Sequence, residues 1–188
     1  MMKKIITLFI AMFLSIGTIA EAKGLEFEGV VGMNVANLDA AAASSRIGFH
    51  LGVRGTYAFS SPTSGLYANG AALLSLKGAK AAGITFNPYY IEIPVHMGYK
   101  YGITSNVAIF GEFGPYFGIG VFGTTEGKDV FGDVIGYNRF DMGLGLRAGF
   151  EFNQKFNVSL GYDFGLTDVA DDASLKNRNF TISVGYKF

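Results

Sequence analysis

Tyr89-Tyr90-Ile91-Glu92-Ile93-Pro94-Val95-His96-Met97-Gly98-Tyr99-Lys100-Tyr101 separates into two chemistries when every second residue is read. From Tyr89, one face carries Tyr, Ile, Ile, Val, Met, Tyr and Tyr; the other carries Tyr, Glu, Pro, His, Gly and Lys. Side chains of a strand alternate between faces, so this strand is greasy with aromatic ends on one side and charged on the other. A water-soluble sandwich buries the greasy face. A membrane barrel turns it to lipid, sets aromatics at both interfaces and keeps polar groups in the lumen. One strand fits both.

Seven further stretches repeat the pattern, at Leu25–Leu38, Arg46–Phe59, Leu66–Lys77, Val107–Phe122, Arg139–Phe152, Phe156–Leu166 and Phe180–Phe188. Arg139–Phe152 alternates most cleanly: Phe140, Met142, Leu144, Leu146, Ala148, Phe150 and Phe152 oppose Arg139, Asp141, Gly143, Gly145, Arg147, Gly149 and Glu151. The connections alternate long and short. The short ones are Ser60–Ser64, Gly102–Asn106 and Asn153–Lys155; the long ones are 37–45, 77–88, 123–138 and 167–179. With eight antiparallel strands, both termini and all the short turns lie at one end. That is the asymmetry of outer-membrane barrels, with short periplasmic turns and longer extracellular loops. Tyr57, Phe59, Tyr99, Tyr101, Phe150, Phe152, Phe156, Tyr186 and Phe188 all fall at the short-turn end, where an interfacial girdle belongs.

Composition agrees. A length of 188 residues suits one domain, and 27 Gly with 18 Phe and 10 Tyr favours an all-β chain. Lys and Arg number 15 against 15 Asp and Glu, so no polybasic surface points to nucleic acid. The absence of cysteine excludes disulfides, thiolate chemistry and cysteine metal sites. Residues 1–22 read as a signal peptide: Lys3 and Lys4 form the positive region, Ile5 to Ile19 the apolar core, and Ala20-Glu21-Ala22 the cleavage site. The expected mature domain is 23–188, with 13 basic against 14 acidic residues. No later stretch reads as a transmembrane helix, so membrane embedding requires strands.

Ile91-Glu92-Ile93-Pro94, Gly114-Pro115-Tyr116, Phe140-Asp141-Met142-Gly143-Leu144-Gly145 and Gly185-Tyr186-Lys187-Phe188 resemble the Bacteroidetes-type outer-membrane β-barrel domain family, whose eight-stranded fold is like the OmpA and OmpX barrels. The resemblance covers the whole mature chain. It implies an up-and-down transmembrane barrel in the bacterial outer membrane, in contact with its lipid and lipopolysaccharide. It also makes Phe188 resemble the terminal signal read by the barrel-assembly machinery. The family is functionally heterogeneous, so the resemblance assigns no activity.

Parity places Glu26, Glu28, His50, Arg54, Glu92, His96, Lys100, Glu112, Asp141, Arg147, Glu151 and Asp163 in the lumen. Eight strands leave an interior that side chains can fill, and buried charges without partners are costly. Hairpin counting sets Glu28 near Arg54 and Glu112 near Arg147, so a plugged barrel is expected, with Glu92 and His96 in the same network. Pro94 and Pro115 lack a ladder donor, so a bulge or unpaired position is expected at each.

The chemical alternatives are weaker. His50 and His96 lie on non-adjacent strands without a close carboxylate spacing, so no metal site is assigned. An outer-leaflet lipid enzyme needs a Ser–His pair, and no serine sits obviously beside either histidine on a lipid-accessible face. Glu126, Asp129, Asp133, Asp168, Asp171 and Asp172 miss the calcium-loop spacing. Gly143-x-Gly145 is followed by no helix, so it is not a nucleotide motif. The sequence therefore reads as a structural, adhesive or envelope-integrity barrel. It has no cofactor or catalytic residue, and any extracellular ligand is met by the loops. A narrow passive pore is the alternative, a lipid-modifying enzyme the third reading, and a soluble periplasmic ligand-binding barrel the fourth.

Overall fold

A computed structural model of the chain describes residues 25–39, 43–61, 63–81, 84–132, 137–170 and 173–188. The expected signal peptide, Pro62, Asp133, Asp171 and Asp172 lie outside the described residues. Strands form throughout: β1 (Leu25–Leu38), β2 (Ala43–Ala58), β3 (Gly65–Leu76), β4 (Ala79–Ala81), β5 (Ile84–Thr85), β6 (Asn87–Gly102), β7 (Val107–Thr125), β8 (Lys128–Asp129), β9 (Phe140–Phe152), β10 (Phe156–Ala170) and β11 (Ala173–Lys187). Eight are long. β1, β2, β3, β6, β7, β9, β10 and β11 each pair antiparallel with the next, and β11 returns to β1 through Gly29↔Tyr186 to Leu38↔Asn177. Phe188 N–H extends the closure by donating to the Phe27 carbonyl at 3.2 Å. A closed wall leaves no free strand edge, which is what a chain in lipid requires.

The alternation resolves into a lipid face and a lumen. Ile93 is 47% exposed whereas Glu92, its neighbour, is 6% exposed. Val31, Ile47, Leu146, Leu160 and Ile182 join Ile93 outside; Glu28, Asn34, Arg54, Glu112 and Arg147 join Glu92 inside. The short-turn girdle is exposed as a ring that includes Tyr57, Tyr101, Phe152, Phe156 and Phe188. Phe156 and Tyr186 lie 4.9 Å apart between ring centroids. A second aromatic group marks the other boundary, where Tyr89 stacks on Phe122 at 4.5 Å and meets Phe49 edge-on at 6.2 Å. From Tyr101 to Tyr89, about twelve residues rising ~3.3 Å each at a tilt of ~40° span roughly 30 Å. That matches the hydrocarbon thickness of a bilayer.

Two of the connections read as long loops are largely ladder. β1 runs to Leu38 and β2 starts at Ala43, while β10 and β11 continue pairing through Asp168↔Lys176 to Ala170↔Ala173. Above the bilayer both faces of a strand meet water, so the apolar alternation fades while backbone pairing continues. Register shifts between Phe164 and Ala170 bend this hairpin. The prolines cause no bulge. Register is unchanged across them, and the ladder skips Ala71 and Ala72 beside Pro94, and Val95 and His96 beside Pro115. The one register shift between β6 and β7 is at Tyr89/Tyr90.

Candidate functional site

The lumen is filled in layers. Nearest the short turns, Lys187 Nζ reaches Glu26 Oε2 and Glu151 Oε2, each at 2.6 Å, and Lys100 Nζ donates to both Glu151 oxygens at 2.8 and 2.7 Å. Above them Arg54 Nη1 donates to Glu28 Oε1 at 2.6 Å, and Asn157 Nδ2 donates to the other Glu28 oxygen. Glu28 and Arg54 are register partners of the β1–β2 hairpin. Glu112 is the hub of the next layer. It accepts from Arg147 Nη1 at 2.6 Å, Asn69 Nδ2 at 2.6 Å and Tyr67 Oη at 3.0 Å, with His96 Nδ1 at 3.4 Å. An ionised carboxylate has about four acceptor sites, so four donors saturate it. Tyr67 lies across the bare backbone of its register partner Gly98, where a Cβ would press on the phenol ring.

Higher in the barrel, Asn34 Nδ2 donates to the carbonyls of Phe49 at 3.1 Å and Leu76 at 3.0 Å. Its Oδ1 must therefore accept, so His50 Nδ1, 2.8 Å away, is a donor. His50 Nε2 is then left to accept from the Ser183 hydroxyl at 2.9 Å. Ser183 stands beside His50 on the buried lumen side, not on a lipid-accessible face. The two residues are 133 positions apart and meet only because β11 closes on β1. Ser183–His50–Asn34 has the contact order of nucleophile, base and orienting group. Yet all three are buried, and the adjoining cavity of about 20 Å³ has room for one water and none for an acyl group.

Lys77 centres the layer toward the long loops. It pairs with Glu92, lies 3.7 Å from Asp141 and 4.0 Å from Asp163, and sits 4.3 Å from the centre of the Tyr116 ring. The sequence reading ends the third strand at Lys77 and leaves this residue out of the charge network. The mouth above is closed by an apolar cork. Val130 and Tyr137 are buried with Leu38, Ala79 and Val169, and Phe86, Phe131 and Leu175 pack against them. Phe131 lies against lumen-facing Gly120 and meets Tyr90 edge-on at 5.9 Å. Burial in this cluster, with Asp141 adding to it, pushes the Tyr137 phenol well above its ordinary pKa. Nothing in the alternation of 123–138 signals that this loop folds back into the barrel.

The outer membrane protein beta-barrel domain model matches residues 6–188, almost the whole chain. The chain belongs to that family. No curated protein sequence matches it. Solved structures share its shape at low identity. Neisserial surface protein A is 15% identical, with 88% of this chain and 98% of that chain covered and a TM-score of 0.58. The outer membrane enzyme PagL is 13% identical over 86% and 98%, with a TM-score of 0.54. Ail, the attachment invasion locus protein of Yersinia pestis, is 18% identical over 87% and 98%, with a TM-score of 0.49.

The outer-membrane barrel thus sits in the bacterial outer membrane, with its polar network facing inward and its greasy face to lipid. One pocket lies outside the lumen. A groove of about 540 Å³ runs over Tyr162 and Phe180 to Asn37, Asp39, Ser45 and Arg178. Arg178 Nη1 donates to the Gly165 and Asn177 carbonyls at 2.9 and 3.1 Å, while Nη2 reaches Asp39 Oδ2 at 2.7 Å. The groove is apolar toward the bilayer and polar away from it.

Proposed function

We propose that this barrel is a non-conducting structural element of the outer membrane, serving envelope integrity, with recognition carried by its exterior rim and loops. The observation that carries this reading is the filled lumen. Ion-pair layers leave cavities of about 20 Å³, and the apolar cork lies above them. A passive pore needs a continuous water path. The burial of Ser183, with room for about one water in the cavity beside His50, argues likewise against a lumen hydrolase. In this reading residues 1–22 direct secretion, Phe188 presents the chain to the barrel-assembly machinery, and the Glu28–Arg54, Glu112–Arg147 and Glu92–Lys77 layers, with His96 beside Glu112, hold the cylinder rigid.

Purified protein in planar bilayers tests this: baseline current is expected, and steady single-channel steps would establish the pore instead. Incubation with lipopolysaccharide should leave its mass unchanged. A shortened acyl set would establish an outer-leaflet lipid enzyme.

The exterior groove favours a contact with lipopolysaccharide, an amphiphile whose acyl chains suit Tyr162 and Phe180 and whose phosphorylated sugars suit Arg178. Arg178→Glu should lower the lipopolysaccharide co-purifying with the barrel, and unchanged co-purification would remove the groove from this role.

A further inference from the structure

Two cavities of about 20 Å³ each lie inside the charge network, and their walls share one chemical pattern. The first is lined by Arg147, Asn179 and Thr181. Arg147 spends Nη1 on Glu112, and Asn179 spends Nδ2 on Asp163 Oδ2 at 3.1 Å. Arg147 Nε, Asn179 Oδ1 and Thr181 Oγ1 are buried and have no protein partner. The second cavity is lined by Arg54 and Asn157. Here Arg54 spends Nη1 and Asn157 spends Nδ2 on the same carboxylate, Glu28. Arg54 Nε and Nη2 and Asn157 Oδ1 are buried without a protein partner.

Glycine makes the first seat. Gly161 stands in register between Arg147 on β9 and Thr181 on β11. A Cβ on Gly161 would lie 2.6 Å from Thr181 Oγ1 and 3.5 Å from Arg147 Nε, so both lean over the same bare backbone.

We propose that each cavity is a binding site for one ordered water, which accepts from the unused guanidinium N–H and donates to the facing asparagine carbonyl. Size and chemistry select this ligand. A volume of about 20 Å³ admits one water and little else. A guanidinium repels a metal cation, and the neighbouring carboxylates, Glu28 and Asp163, repel an anion. A ligand that both accepts and donates satisfies both walls, and buried donors left unmade are costly. Each water then ties strands that are not neighbours in the wall: β9 to β11 in the first cavity, β2 to β10 in the second.

Water-to-protein NOE measurements on the labelled full-length barrel in lipid nanodiscs test this. Slow-exchanging water is expected to give cross-peaks to the Nε–H of both Arg147 and Arg54. Visible Nε–H resonances without water cross-peaks would overturn it. Gly161→Ala should abolish the Arg147 cross-peak and leave that of Arg54, and a persisting Arg147 cross-peak would refute the seat over Gly161. Thr181→Val controls for relay through the hydroxyl and should leave the Arg147 cross-peak in place; its loss would refute direct contact. Should Gly161→Ala fail to assemble, a high-resolution crystal structure of the unmodified protein decides, with density in both cavities expected and two empty cavities contrary to it.

Discussion

At the scale of single residues, the lumen is held by a few carboxylates that each serve several donors. Glu112 takes bonds from β3 and β9, with His96 of β6 beside it, so its removal strands groups on three other strands. Removing one member of a buried pair costs about 3–5 kcal/mol, mostly through the charge left behind. Glu112→Leu is therefore expected to lower stability by about that amount in urea unfolding from lipid vesicles. Glu112→Leu with Arg147→Leu should recover part of the loss, since the unpaired guanidinium is gone while the neutral donors remain. A second residue-scale prediction concerns backbone strain. Asn153 and Gln154 both take positive φ, 51° and 57°, in a turn closed by Lys155 N–H to the Phe152 carbonyl at 3.0 Å. Both central residues are thus left-handed, a conformation that Asn tolerates and Gly prefers. Gln154→Gly should stabilise the hairpin by about 1 kcal/mol, read from the same unfolding curves.

At the scale of elements, the segment after β7 behaves as a cork rather than a free loop. The β7–β8 hairpin turns at Glu126-Gly127, and the chain then carries Val130 and Phe131 back over the mouth. Phe131→Ala removes a ring that touches Tyr90, Tyr137 and Gly120. The expected outcome is faster proteolytic cleavage within 123–138, seen by limited digestion of the folded barrel. Conductance should stay at baseline in the same preparation, because the Lys77 layer with Glu92, Asp141 and Tyr116 closes the lumen beneath the cork. The β10–β11 hairpin makes a related point. Its ladder continues to Ala170↔Ala173, so the barrel wall stands above the membrane as sheet and presents a rigid rim.

At the scale of the whole molecule, closure of β11 on β1 does two things. It removes the sheet edges, and it completes the polar contacts that cross the seam, Ser183 to His50 and Lys187 to Glu26. Phe188 lies at this seam and is 68% exposed, so truncating it removes little packing. Phe188→Ala is expected to lower the yield of folded barrel in the outer membrane. The heat-modifiable fraction on gels, together with unfolding of the part that does assemble, checks this. An equal loss of yield and of intrinsic stability would assign Phe188 to packing rather than to assembly.

Alternation along the chain determined the class of fold, the lipid face and the strands that hold the lumen charges, because parity is local and each side chain's face follows from its neighbours. Hairpin register followed equally locally, which is why the neighbours of Glu28 and Glu112 were readable as Arg54 and Arg147. Tertiary structure alone decided three things. Ser183 meets His50 through strand closure, Lys77 enters the network past the end of its strand, and Phe131 turns inward through loop packing. Each depends on residues distant in sequence arriving at one height in the cylinder, and that height is set by the tilt and closure of eight strands together.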